Sequence, residues 1–381
     1  MARIYIDARN VTDTPSGIAR YARALIPAVI DQSNGDEFVV IRHRSARRPI
    51  VDDPPDFVHE VAVGRRIDGA KNFAVGHRTI DAVIAEHGPP DLFHSLFHVV
   101  PAKLKRVIDH APLVVTLHDF VWLDHPDVSQ PGWLKARSIE AFARLAIPQT
   151  LKMADRVIAI SEPTRRRALD FIDDEKMEVI SHGVDEAFFE PVDPPAGEFE
   201  QLADPDRGCI AAIGNHKDYK NLRLLIDAFD QLTEGGIDAQ LALIGDCERL
   251  APAIGATDAA EWITVAGLVG DEVLRRVLGA AQVFVFPSKV EGFGLPILEA
   301  MAMGVPTIVS DLEPMRSVAG EAALLCDPDD ATGLARLLER IITDDELAAR
   351  LSERGRRRAR QFRWASTAAN TVRLYDEALN R

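Results

Sequence analysis

Short aliphatic runs alternate with amphipathic stretches along almost the whole chain. Ile4-Tyr5-Ile6 is followed by a loop, a helix-patterned stretch at 18–30, and a second run at 38–41. Further runs lie at 113–116, 156–160 and 178–180. These runs are short, rich in β-branched residues and do not alternate with polar ones. They therefore predict parallel strands buried on both faces by helices, an α/β arrangement. The proline-rich, acidic stretch at 191–207 suits neither helix nor strand and reads as a linker. Beyond it the alternation restarts, with strands at 209–213, 240–244, 262–265, 283–286 and 307–309. Helices are expected there at 221–232, 271–280 and 296–303. Two open sheets follow, an N-terminal domain at 1–190 and a second domain at 208–360. Ligands of such sheets sit at the carboxyl ends of the strands, and two facing domains make a cleft.

Length and composition agree with this picture. The chain has 381 residues, 47% of them hydrophobic, enough for two buried cores. Its formal charge of −15 excludes a bulk polyanion binder. Three scattered cysteines make no disulfide framework and read as buried thiols in a reducing compartment. Neither a signal peptide nor an apolar run near the ~18 residues of a transmembrane helix is present, so a cytoplasmic protein is expected.

Four strand-to-helix loops carry candidate chemistry. Thr14-Pro15-Ser16-Gly17-Ile18 opens the first helix, where Gly17 lets backbone N–H groups approach an anion; the plainer reading is an ordinary turn. His118-Asp119 follows a buried strand, placing an imidazole where it can bind a hydroxyl or move a proton. A capping or core histidine is the alternative. Gly214-Asn215-His216-Lys217-Asp218-Tyr219-Lys220 offers two lysines ahead of a helix, suited to an anion or simply solvated. The fourth loop, 286–300, is the most informative. Pro296 suits a first helical turn and Gly304 a stop, while Gly292 and Gly294 form a cradle suited to phosphate. Glu291 and Glu299 flank that cradle. Rather than acting as an acid–base pair, they could bind hydroxyls on two sides of a diphosphate, one on a sugar and one on a ribose; ordinary surface glutamates are the alternative.

The segment E-G-F-G-L-P-I-L-E-A-M-A-M-G-V-P at 291–306 resembles the E-x7-E motif of the retaining GT-B glycosyltransferases of family 4, in particular mannosyltransferase-like members. G-N-H-K-D-Y-K-N-L (214–222) resembles that family's phosphate loop, and S-G-I-A-R-Y (16–21) and V-V-T-L-H-D (114–119) resemble first-domain motifs. The closing segment 362–379 is similar to a helix that returns to the first domain, so 361–381 is expected to pack there. The resemblance implies two Rossmann-like domains facing across a cleft and a nucleotide-sugar donor. It implies that Glu291 contacts the donor sugar and Glu299 the ribose, with the amides of Gly292, Phe293, Gly294 and Leu295 on the diphosphate. Lys220 matches a diphosphate lysine, Gly17 a glycine beside it, and His118 a histidine against the transferred sugar. Asn215 stands where the family often has Arg, leaving Asn215, His216 or Lys217 for the second phosphate contact. Ala19 replaces a second glycine.

The expected reaction moves a hexose, with mannose from GDP-mannose as the donor guess, to a glycan or lipid-linked acceptor with retention. Leaving-group charge would fall on Lys220 and the amides, with no cofactor and no essential metal. Asp327-Pro328-Asp329 reads as a turn rather than a metal site. Alternatives are a nucleotide-sugar epimerase, an inverting GT-B enzyme or a catalytically idle GT-B binding protein. A nicotinamide dehydrogenase is disfavoured by the missing glycine fingerprint. Basic residues Arg42, Arg44, Arg47, Arg48, Arg65, Arg66, Lys103, Lys105 and Arg106 suggest either peripheral contact with anionic membrane or a solvated face.

Overall fold

The computed structural model describes the chain apart from residues 14–15, 34, 65–68, 127–132, 205–206 and 381. It divides into two compact units, Met1–Gly183 with Trp364–Arg381, and Val184–Arg363.

The first unit holds seven strands: β1 (Arg3–Ala8), β2 (Glu37–His43), β3 (Val58–Val63), β4 (Leu92–Ser95), β5 (Leu113–Leu117), β6 (Arg156–Ala159) and β7 (Met177–Val179). They form one parallel sheet in the order β3-β2-β1-β4-β5-β6-β7. Neighbouring residues serve opposite faces, as the two-residue strand period requires. Tyr5, Val115 and Val157 join a core with Ala143, Ile147 and Leu151, whereas Ile4, Val114 and Ile158 join Tyr21, Leu25 and Val29. The helix Gly17–Gln32 lies on the second face, its first turn capped by Ser16, whose hydroxyl accepts from Ala19 N at 3.1 Å. The closing helix Trp364–Ala378 adds Ala368, Leu374 and Tyr375 to that same core. It is also tied down by Thr367 Oγ1 donating to Ser181 O and Gln32 Nε2 donating to Ala365 O.

The second unit holds β8 (Gly208–Ile213), β9 (Ala239–Ile244), β10 (Ile263–Gly267), β11 (Val283–Phe286), β12 (Thr307–Ser310) and β13 (Ala323–Cys326), in the order β10-β9-β8-β11-β12-β13. Strand order reverses between β8 and β11, so the loops leaving their carboxyl ends diverge and open a crevice there. The helix Leu295–Met303 begins behind Gly294 (φ 107°) and ends at Gly304 (φ 80°), with Pro296 in its first turn. Gly245 is equally demanding: with φ at 115°, an added Cβ would meet Gly214 O at 2.0 Å. The three cysteines are free and buried.

The unit boundary falls at Gly183/Val184, ahead of the stretch 191–207. Val184 and Phe188 are already buried and Val184 N donates to Phe362 O at 3.0 Å, which commits the chain to the second unit. The proline-rich stretch then runs along that unit. Gly197–Ala203 forms a 3-10 helix, Leu202 is buried and Gln240 Nε2 holds Gln201 O at 2.7 Å. Pro205 and Asp206 lie outside the described residues. Residues 361–363 also stay with the second unit. Three strands, β3, β4 and β13, are not among those expected from the sequence, although β13 (Ala323-Leu324-Leu325-Cys326) is apolar throughout. β3 and β4 carry histidine or glutamate within the strand, and β13 is only partly covered.

Candidate active site

In the second unit the crevice between β8 and β11 collects most of the candidate residues. The loop after β8 ends in a 3-10 turn, Asp218–Lys220, followed by Asn221 in the left-handed region (φ 57°). Asn221 Nδ2 donates to Pro287 O at 3.1 Å and to Pro328 O at 2.8 Å, and Lys289 N donates to Tyr219 O at 2.7 Å. These bonds lock the β8 loop to the β11 loop. Lys220 is thereby held against Glu291, with Nζ 2.6 Å from Oε1, and both side chains are mostly buried. Burial alone works against the Lys220 ammonium. Glu291, Tyr219 and the Glu291 hydrogen bond outweigh it and lift the pKa above the usual lysine value. Its Nζ also lies 5.3 Å from the ring centroids of Phe286 and Tyr219.

Behind this pair, Gly292, Phe293, Gly294 and Leu295 lead into the helix Leu295–Met303, where Pro296 has no N–H and Ile297 N donates to Gly294 O at 3.0 Å, so the entrance presents the Leu295 amide. Such an entrance, with its dipole, favours an anion. Phe293 packs edge-on to Phe362 at 6.0 Å, which fixes the loop. Glu299, one turn in, is buried. Of the three residues left for a second phosphate contact, Asn215 turns back to accept from Lys217 N at 3.0 Å, and His216 sits 3.3 Å from the Asp246 carboxylate. Lys217 is exposed. Asp327-Pro328-Asp329 is a turn: Asp327 Oδ1 accepts from Asp329 N at 2.9 Å, and the Asp329 carboxylate pairs with Lys289.

In the first unit, Gly17 is the first residue of its helix, and an added Cβ would find nothing within 4 Å. Thr14 and Pro15 of that loop lie outside the described residues. His118 follows β5 directly. Its Nε2 donates to Leu96 O at 3.0 Å, leaving Nδ1 as the acceptor nitrogen. Tyr21 meets the ring edge-on at 5.1 Å. Burial, reinforced by neighbouring His98 and opposed by Leu96 O and Asp119, lowers the His118 pKa to about 4. The imidazole is therefore neutral at pH 7. Buried and donating to Leu96 O, the ring fits a hydroxyl-binding imidazole and equally the core histidine of the alternative reading.

Several neighbours of these residues were not singled out by the sequence. Arg9, fully buried after β1, makes two bonds to the Asp7 carboxylate (2.7 and 2.6 Å) and one to Asn72 Oδ1 at 3.1 Å. His182 packs on Tyr21 at 4.7 Å and stacks with Trp364 at 6.0 Å, so the last residues before and the first after the second unit support the same tyrosine. An acid and an arginine two apart at the end of an apolar strand were a readable signal for the first group. The second needed the fold.

Comparison with known proteins matches residues 15–188 to the model "Glycosyltransferase Family 4" and residues 196–358 to "Glycosyl transferases group 1". The chain belongs to glycosyltransferase family 4. Its relatives include O-antigen chain mannosyltransferase B of Escherichia coli, 34% identical over 44% of this chain and 46% of that one. The MMP alpha-(1->4)-mannosyltransferase of Mycolicibacterium hassiacum is 30% identical over 71% of this chain and 66% of that one. The phosphatidyl-myo-inositol mannosyltransferase of Mycolicibacterium smegmatis is 27% identical over 96% and 91%. The match to this family 4 chain thus spans about half of the first relative and about two thirds of the second. Among solved structures, sucrose-phosphate synthase from Thermosynechococcus elongatus (TM-score 0.76, 21% identity) and Anabaena HepE in complex with UDP and glucose (0.75, 17%) share the fold. Each match covers 99% of this chain, with 99% and 100% of the other. These likenesses establish the GT-B fold class with two Rossmann-like domains.

Proposed function

We propose that this family 4 protein transfers a hexose from a nucleoside-diphosphate sugar to a glycan or lipid-linked acceptor, with retention, in polysaccharide or glycolipid biosynthesis. The observation that carries the reading is the Lys220–Glu291 pair, 2.6 Å apart beside the entrance of the helix Leu295–Met303. Cleaving the bond from the anomeric carbon to the donor phosphate leaves the electron pair on the diphosphate and positive charge on the sugar. Lys220 and the amides of Gly292, Phe293, Gly294 and Leu295 stabilise the first, with Asn215, His216 or Lys217 adding a further contact. Glu291 binds the sugar and Glu299 the ribose, while the first unit contributes Gly17 and His118, whose Nδ1 accepts from a sugar hydroxyl. The acceptor hydroxyl attacks the same face from which the diphosphate leaves, and its proton passes to a departing phosphate oxygen.

Mannose, from GDP-mannose, is the preferred donor because the named relatives are mannosyltransferases. Lys220 and the helix entrance carry the leaving-group charge without an essential metal. No helix among the described residues is long and apolar enough to cross a membrane. A lipid-linked acceptor would be met by peripheral contact with an anionic membrane. Of the basic residues considered for this, Arg42 pairs with Glu60 and Lys105 with Asp155, and Arg65 and Arg66 lie outside the described residues. Arg44, Arg47, Arg48, Lys103 and Arg106 are exposed.

A panel of nucleotide sugars, scored by nucleotide release and product mass with and without acceptor, tests the reading. NMR of the product anomer is expected to show retention, and inversion would refute it. Turnover is expected to persist in EDTA; loss restored by Mn²⁺ would overturn the metal-free mechanism.

A further inference from the structure

The helix Trp133–Met153 covers one face of the first sheet with Ala136, Ala143, Ala146, Ile147, Thr150 and Leu151. Its outer face is unusual for a chain of net charge −15. The exposed positions are Leu134, Lys135, Arg137, Ser138, Ala141, Arg144, Leu145 and Lys152, four cations with no acid among them. Leu134 and Leu145 are 64% and 60% exposed, although each is large and apolar. They are not scattered. Leu134, Ser138, Ala141 and Leu145 fall on one line along the helix, at spacings of four, three and four residues. Arg137 and Arg144 flank that line on one side and Lys135 on the other. The acid beside it, Glu140, is bound to Arg144 at 2.8 Å.

A solvated helix face gains nothing from two bare leucines. A line of leucine and small residues bordered by arginine and lysine matches the boundary of an anionic bilayer. There the apolar side chains enter the acyl region, and the long basic ones reach phosphate at headgroup level. We propose that the outer face of the helix Trp133–Met153 docks on an anionic lipid surface. This rests on the peripheral-membrane reading above and identifies the surface that makes the contact, apart from the basic segments at 42–48 and 103–106.

The test is co-flotation of the full chain with phosphatidylcholine vesicles, with and without phosphatidylglycerol, at low and high salt. Binding is expected only with phosphatidylglycerol and to weaken as salt rises. Leu134→Ser and Leu145→Ser should each lower the partition coefficient about tenfold. Lys135→Gln and Arg137→Gln should each lower it about fivefold. All four positions are solvent-facing, so unchanged thermal melts and unchanged nucleotide release in solution are expected. Vesicle binding that these variants leave intact would overturn the assignment to this helix while keeping membrane contact. Failure of the unmodified chain to float would remove membrane contact and the proposal together. Self-association abolished by the leucine variants would also overturn it, in favour of a second copy on this face. Nucleotide release on the same samples keeps the catalytic reading separate from each result.

Discussion

Replacing Lys220 by methionine removes the ammonium while keeping most of the stem's volume, and the structure sets two separate consequences. The first is catalytic. A donor preorganised for leaving-group charge is worth about 10²–10³ in rate, or roughly 3–4 kcal/mol, so kcat at saturating donor should fall by that factor. The second is structural. Lys220 and Glu291 are 15% and 14% exposed at the side chain, so the variant leaves a mostly buried carboxylate without its 2.6 Å partner. Losing a hydrogen bond to a charged group under such cover costs about 2 kcal/mol. That is roughly 4–8 °C in the melting temperature of a unit of this size. Adding Glu291→Gln in the same chain replaces the stranded carboxylate with a neutral amide and should recover most of the melting temperature. It should recover none of the turnover. The assay is therefore a double-mutant cycle read twice, by calorimetry and by nucleotide release at saturating donor. Near-normal kcat in Lys220→Met, or turnover returning with stability in the double variant, would show that Lys220 is structural and refute the mechanism.

Three further outcomes follow from the same geometry. Burial lowers the His118 pKa to about 4, that of His94 to about 3 and that of His98 to about 4. Groups depressed in the fold contribute stability that is complete above their unfolded pKa near 6.5 and is lost as pH falls toward those values. Melting temperatures should therefore decline from about pH 6.5 downward, while kcat shows no inflection between pH 6 and 8 from His118; such an inflection, removed by His118→Asn, would contradict the neutral imidazole. Gly17→Ala meets no protein atom within 4 Å, so the melt should hold or rise by up to about 1 kcal/mol in stability, with weakened donor use; unchanged kcat/KM would remove Gly17 from donor binding. Asn221→Gly keeps the φ of 57° but deletes the bonds to Pro287 O and Pro328 O, and should lower kcat more than it raises donor KM because Lys220 loses its anchor. Equal kinetics in Asn221→Gly and the unmodified chain would show that the anchor is dispensable.

The second unit's helix entrance was legible from the sequence because its determinants are local. Pro296 has no N–H to lose in a first turn, and glycines at 294 and 304 take backbone conformations that other residues resist. Largely apolar runs likewise announced β5, β8, β9 and β11, since strands covered on both faces have no polar side to display. β4 escaped because His94, fully buried, reads as polar; its ring is satisfied by Tyr375 and Thr116, residues 281 and 22 positions away.

Tertiary structure decided what depends on distant partners. That Lys220 meets Glu291, 71 residues on, follows from the strand order that sets β8 beside β11, which no spacing in the chain encodes. The protonation state of His118 is of the same kind. The sequence placed an imidazole at a strand end, but burial, which only the folded chain defines, lowers its pKa and makes it neutral at pH 7. The position of the unit boundary is of the same kind. Proline and acid content marked 191–207 as irregular, yet irregular backbone still packs, and the change of unit occurs where Val184 finds its partner at Phe362.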